Sequence, residues 1–156
     1  MLILGIISIV LLVGLDQFVK YLTVTHLINE PIVLIENVFE LTYVENKGAA
    51  WSILENQIWF FIIITIIILA LIAYAFYKKM IYTKLGQISL VLISAGAIGN
   101  FIDRLAHGYV IDMFSFKLIN FPVFNVADIC IVCGGILFVC YMLFQHDKFA
   151  EKAGKK

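Results

Sequence analysis

The sequence predicts an α-helical integral membrane protein, four transmembrane helices with a small extracytoplasmic strand element. Three observations lead there. The chain is 63% hydrophobic and 14% charged, with a mean hydropathy of +1.02, whereas a soluble domain carries about 25% charged residues. Four apolar runs approach the ~20 residues that a helix needs to cross a bilayer. The polar residues that interrupt those runs fall at ends that share one membrane face.

The runs are taken in order, within a single membrane-embedded domain expected over residues 1–156. The first covers about 1–23 and is interrupted late, by Asp16 and Lys20. It lacks a basic start and a small-x-small cleavage site, so it reads as a retained anchor rather than a secretory leader. The second, about 58–77, is uncharged and rich in isoleucine. The third covers about 85–102, with Gly96 between Ala95 and Ala97 for close helix packing. The fourth, about 128–145, has a short apolar part that relies on flanking residues to reach the interface.

Charge sets the expected orientation. The loop after the second run holds Lys78, Lys79 and Lys84 without an acid, and the C-terminal tail holds Lys148, Lys152, Lys155 and Lys156. Basic loops stay in the cytoplasm, so both termini are expected there. Outer loops are then expected at about 24–57 and 103–125. The first of these contains PIVLIENVFELTYV, rich in β-branched and aromatic residues between turn formers, which reads as one or two strands. Trp51 and the neighbouring Tyr and Phe suit the headgroup level. The formal net charge is zero, which gives no field for nucleic acid.

Orientation brings the unusual polar residues together. Asp16 and Lys20 sit at the outer end of the first run, four apart on one helical face. Asn46 and Gly48 precede the second. Asn100, Asp103 and Arg104 end the third, with helical spacing. Asn125 and Asp128 open the fourth. Each has a plainer reading. Asp16 and Lys20 form an orienting ion pair, Asp103 and Arg104 pair with each other or with them, Asn46 and Gly48 make a turn, and Asn125 caps a helix with Asp128 in a capping-box role. Asp112, between Val110–Ile111 and Met113–Phe114, resists a plain reading. A lone acid in an apolar segment needs a partner, or water and a task.

Two neighbouring carboxylates in a low-dielectric site cannot both ionise cheaply, so they share a proton over a useful pH range. One then takes a proton from water while the other polarises a carbonyl. Asp112 and Asp128 are the candidates for such peptide hydrolysis. No HExxH or P-loop is present, and His26, His107 and His146 are scattered, so no metal or cofactor is expected. Ser52, Ser94 and Ser115 lack a recognisable basic partner.

Five stretches, DQFVK (16–20), NKGAAWS (46–52), GAIGNFIDR (96–104), VIDMF (110–114) and FPVFNVAD (121–128), together resemble the lipoprotein signal peptidases, also called signal peptidase II. The resemblance runs over nearly the full length. It implies an aspartyl peptidase of the bacterial cytoplasmic membrane that removes the signal peptide of a prolipoprotein just before a diacylglyceryl-modified cysteine. Matching positions make Asp112 and Asp128 the catalytic pair. They make Asn46, Asn100, Arg104 and Asn125 the lining of the site, and Asp16, Lys20 and Asp103 its supports, with Gly48 counted among these substrate-binding or site-supporting residues. The resemblance also implies a four-helix bundle with an outer β-cradle and a mobile outer segment. Substrate and membrane lipid are its partners, globomycin-type lipopeptides its inhibitors, and the protein is expected to be a monomer. Met113, where relatives are expected to have phenylalanine, and the Cys130–Cys133 pair depart from the pattern.

Two readings compete. Cys130 and Cys133 form a CxxC that a thiol oxidoreductase would use, although with Cys140 they read as small packing residues in an apolar helix. An ion or proton pathway would need polar residues across the membrane. The second run offers only Thr65, and the third only Gln87, Ser89 and Ser94.

Overall fold

A computed structural model describes residues 2–48, 57–81, 83–119 and 121–145. In it the chain forms α1 (Leu2–Leu27), β1 (Ile32–Ile35), β2 (Phe39–Asn46), α2 (Ile58–Tyr77), α3 (Lys84–His107), β3 (Val110–Phe116) and α4 (Val126–Phe144). Trp51, Ser52, His146 and the lysines of the C-terminal tail lie outside the described residues.

All four helices are long and apolar enough to cross a membrane. α2 carries no charged residue and α1 none before Asp16, and a helix apolar all round has no face for water. Their large side chains, such as Leu11, Phe18, Ile63 and Leu71, stay exposed on the protein surface, as lipid-facing residues would. α3 is the central element and buries small and polar residues instead, among them Ser89, Ser94, Ala95, Gly96, Gly99, Asn100 and Asp103. α4 lies directly on it. A Cβ at Gly96 would overlap the Ala127 carbonyl, and one at Gly134 would meet Ser89 O at 2.8 Å. The two glycines therefore set how closely these helices approach.

The helices run past the bounds that apolarity suggests. α1 extends to Leu27 and α3 to His107, so Asp103 and Arg104 are helical rather than part of a loop. α3 starts on Thr83, whose side chain accepts the Gly86 N–H, and ends on Gly108 in the left-handed region at φ 79. A glycine takes that conformation without a Cβ penalty.

The strands form one antiparallel sheet in the order β1-β2-β3. β1 and β2 are the strands expected within PIVLIENVFELTYV. β3 joins the other edge of β2, with Val44 opposite Asp112 and Asn46 opposite Val110. The sequence did not announce β3, because Val110, Ile111, Asp112 and Met113 are all buried and a strand buried on both faces lacks alternation. Beyond β3 the chain doubles back. Phe114 and Phe124 exchange backbone hydrogen bonds of 2.8 and 3.2 Å, and the rings of Phe116, Phe121 and Phe124 pack together. This return brings Asn125 and the start of α4 against β3.

Candidate active site

The site forms where α1, β2, α3, β3 and the first turn of α4 meet. Asp112 on β3 is 1% exposed. Its Oδ2 accepts from Asn46 Nδ2 at 2.9 Å and its Oδ1 from Asn125 Nδ2 at 2.6 Å. Asp128, in the first turn of α4, is partly exposed. Its Oδ1 accepts from Asn100 Nδ2 at 2.8 Å. Its Oδ2 accepts the Asn125 backbone N–H at 3.2 Å.

Asn125 therefore serves both acids. Its Oδ1 accepts the Asp128 N–H at 2.8 Å, completing a capping box on α4, while its Nδ2 reaches Asp112. The plain and the functional readings of Asn125 are two ends of one amide. Burial, followed by the charge of Asp128, pushes the Asp112 carboxyl from 3.8 up to about 7. The donors Asn46 and Asn125 and the more distant Lys20 pull the other way. The two carboxyls thus interact, as a proton-sharing pair must.

Behind the acids lies a buried ionic cluster. Lys20 Nζ pairs with Asp16 at 2.9 Å and with Asp103 at 2.8 Å, and it donates to Asn100 Oδ1 at 3.1 Å. Both carboxylates also hold backbone next to an acid of the pair. Asp16 Oδ1 accepts the Ala127 N–H at 2.8 Å, and Asp103 Oδ2 accepts the Ile111 N–H at 3.0 Å. A buried charge left without partners is costly, and here each carboxylate has both an ammonium and an amide. Gly99 allows this closeness, since a Cβ there would strike the Asp16 carboxylate.

Arg104 stands at the rim. It donates to Gly48 O and Asn100 O, both at 3.4 Å, and feels the charges of Asp128, Asp112 and Asp103. Gly48 in turn donates its N–H to Asn46 Oδ1 at 3.0 Å. All ten candidates read from the sequence, from Asp16 to Asp128, join one connected network. Gln17 belongs to it as well, its amide donating to Asp16, Gly99 O and Asp103. A polar residue beside Asp16 in an apolar helix was the available signal.

Among the described residues, no three His, Cys, Asp or Glu side chains converge as metal ligands. Cys130, Cys133 and Cys140 are free thiols, Cys130 buried and Cys133 exposed.

The family model for signal peptidase (SPase) II matches residues 8–144. The chain belongs to the signal peptidase II family. The lipoprotein signal peptidase of Latilactobacillus sakei subsp. sakei (strain 23K) is 48% identical over 147 residues, covering 91% of this chain and 97% of that protein. Those of Enterococcus faecalis (strain ATCC 700802 / V583) and Clostridioides difficile (strain 630) are 46% and 40% identical, over 93% and 92% of this chain and 89% and 97% of theirs. Two solved bacterial membrane enzymes share the fold. One has a TM-score of 0.83 at 39% identity, covering 89% of this chain and 87% of that one. The other has a TM-score of 0.81 at 38% identity, covering 90% and 93%. As a signal peptidase II, the chain is a multi-pass bacterial membrane protease.

Proposed function

We propose that the protein is an aspartyl endopeptidase acting on diacylglyceryl-modified prolipoproteins, which it cleaves just before the lipidated cysteine. Water is activated between Asp112 and Asp128, within one water's reach of each other. The observation that carries this reading is the carboxyl pair itself. One member is buried with its pKa at about 7, and both are oriented by the amides of Asn100 and Asn125.

The ionised carboxylate takes a proton from water as the oxygen attacks the scissile carbonyl carbon. The protonated partner gives its proton to the carbonyl oxygen, forming a neutral gem-diol. The roles then reverse. The first acid protonates the leaving nitrogen, the second recovers a proton from a diol hydroxyl, and the C–N bond breaks. Both groups return to their starting states. Asn46, Gly48, Asn100, Arg104 and Asn125 line the substrate path, while Asp16, Lys20 and Asp103 hold the frame. The whole chain acts as one membrane-embedded domain and as a monomer.

The acids work at the outer face of the cytoplasmic membrane, with both termini and the Lys78–Lys79 loop inside. The acyl chains stay among the helices in the bilayer, and globomycin-type lipopeptides compete for the same path. The test is cleavage of a diacylglyceryl-modified prolipoprotein by wild type, Asp112→Asn and Asp128→Asn. Cleavage by wild type with both folded variants inactive is expected. Normal cleavage by either variant would make that acid structural and sink the dyad.

A further inference from the structure

α2 carries none of the site residues discussed so far, yet it touches one of them. The Arg104 guanidinium carbon lies 4.8 Å from the centroid of the Phe61 ring, well within the ~6 Å over which an aromatic face attracts a cation. Phe61 is itself braced edge-on by Phe60 at 5.6 Å. The other restraints on Arg104 are weak. Its hydrogen bonds to Gly48 O and Asn100 O are both 3.4 Å long, and among the described residues no carboxylate reaches it at ion-pair distance.

The electrostatics make this arrangement unusual. Asp128 and Asp112 both attract the guanidinium, and an arginine near two carboxylates tends to close on them with a bidentate pair. Doing so would occupy the oxygens that must handle water and substrate. A ring on one face of a planar cation restrains its tilt and leaves its edge donors available. The ring offers attraction without an acceptor, so it consumes no N–H.

We propose that Phe61 is a positioning residue of the peptidase site, stacking on Arg104 and holding its N–H groups toward the substrate rather than onto the acid pair. The proposal rests on the peptidase reading above. It makes the outer end of α2 part of the site, with Arg104 as the link through Gly48 and Asn46 to Asp112. Phe61 touches no reacting atom and acts through the arginine.

The test is steady-state cleavage of a diacylglyceryl-modified prolipopeptide by the full chain in detergent–lipid micelles. Phe61→Leu removes the π-face and keeps an apolar side chain, while Phe61→Trp keeps the face. Phe61→Leu is expected to raise KM about 3- to 20-fold, the range a cation–π contact supports, with kcat within about twofold. Phe61→Trp is expected to restore KM to near wild type. In the Arg104→Gln background, Phe61→Leu is expected to add nothing, because the residue acts through the guanidinium. Progressively fluorinated phenylalanine at position 61 keeps the shape, weakens the quadrupole and should raise KM stepwise even if the leucine variant folds poorly. A wild-type KM in Phe61→Leu or across the fluorinated series, or independent multiplication of the two losses in the double variant, would overturn the proposal. If wild type itself failed to cleave, the peptidase reading would fall instead.

Discussion

Asp112→Asn is expected to make the protein less stable near pH 4 and more stable at pH 8, while abolishing activity. Burial and the Asp128 charge raise the Asp112 carboxyl from 3.8 to about 7. A folded state that holds a proton more tightly than the unfolded chain is most stable below the unfolded value, and it loses stability as pH climbs to the folded one. Each tenfold change in proton affinity corresponds to about 1.4 kcal/mol, so the loss in wild type between those limits is on the order of 4 kcal/mol. Asparagine has no charge and escapes this loss, but its NH2 must face one of two donors, Asn46 Nδ2 or Asn125 Nδ2. Neither partner can turn its amide freely, because the Asn46 and Asn125 oxygens hold the Gly48 and Asp128 N–H groups. One lost bond costs about 1–3 kcal/mol. The difference leaves the variant about 1–3 kcal/mol more stable at pH 8 and about 0.5–2.5 kcal/mol less stable at pH 4. Reversible unfolding in mixed SDS micelles, followed by tryptophan fluorescence, measures both. A stability difference of constant sign and size across that range would refute the reasoning.

Asn46→Ala removes a donor that lowers the Asp112 pKa, so the limb of the pH–rate profile near pH 7 should move to higher pH. An unmoved limb in a variant that still binds substrate would show that Asp112 does not govern it. Asn125→Ser keeps a helix-capping oxygen but is too short to reach Asp112. It should retain most of the ~1 kcal/mol that the cap contributes and lose more than about tenfold in kcat, whereas Asn125→Ala loses both; unfolding and cleavage assays separate the two effects. Gly96→Ala drives a methyl into the Ala127 carbonyl and Ile131. It should displace the first turn of α4, with a loss on the order of 2 kcal/mol in stability and of activity as well, measurable by SDS unfolding and cleavage.

The helices were legible because about 20 apolar residues in a row have few alternatives in a bilayer. The site was legible for a related reason: in such a chain polar side chains are scarce, and those near one face have mostly each other to bond. Asp16, Lys20, Asn100, Asp103 and Asn125 are each buried and bonded within the group. β3 was not legible, since its pairing with β2 is set by a chain reversal at Phe114 and Phe124. Phe61 was hidden differently. In a helix of isoleucines and aromatics, nothing in the pattern separates a ring facing lipid from one facing an arginine. Gln17 could have been found, being polar and adjacent to Asp16.

The two acids differ in burial, and that asymmetry bears on which one holds the proton before substrate arrives. Asp112 is shut in on β3, whereas Asp128 is partly open and lies in a first helical turn, where the helix dipole favours negative charge. On the mechanism proposed above, the proton of the resting enzyme near neutral pH is expected on Asp112, with Asp128 as the carboxylate that takes the first proton from water. Infrared difference spectroscopy tests this through the carboxylic C=O band. At pH 6 the band should vanish in Asp112→Asn and persist in Asp128→Asn. In Asp128→Asn its midpoint should fall below that of wild type, because the repelling charge is gone while burial, the larger cause, remains. A band that survives in Asp112→Asn and disappears in Asp128→Asn would reverse the two roles and leave the pair itself intact.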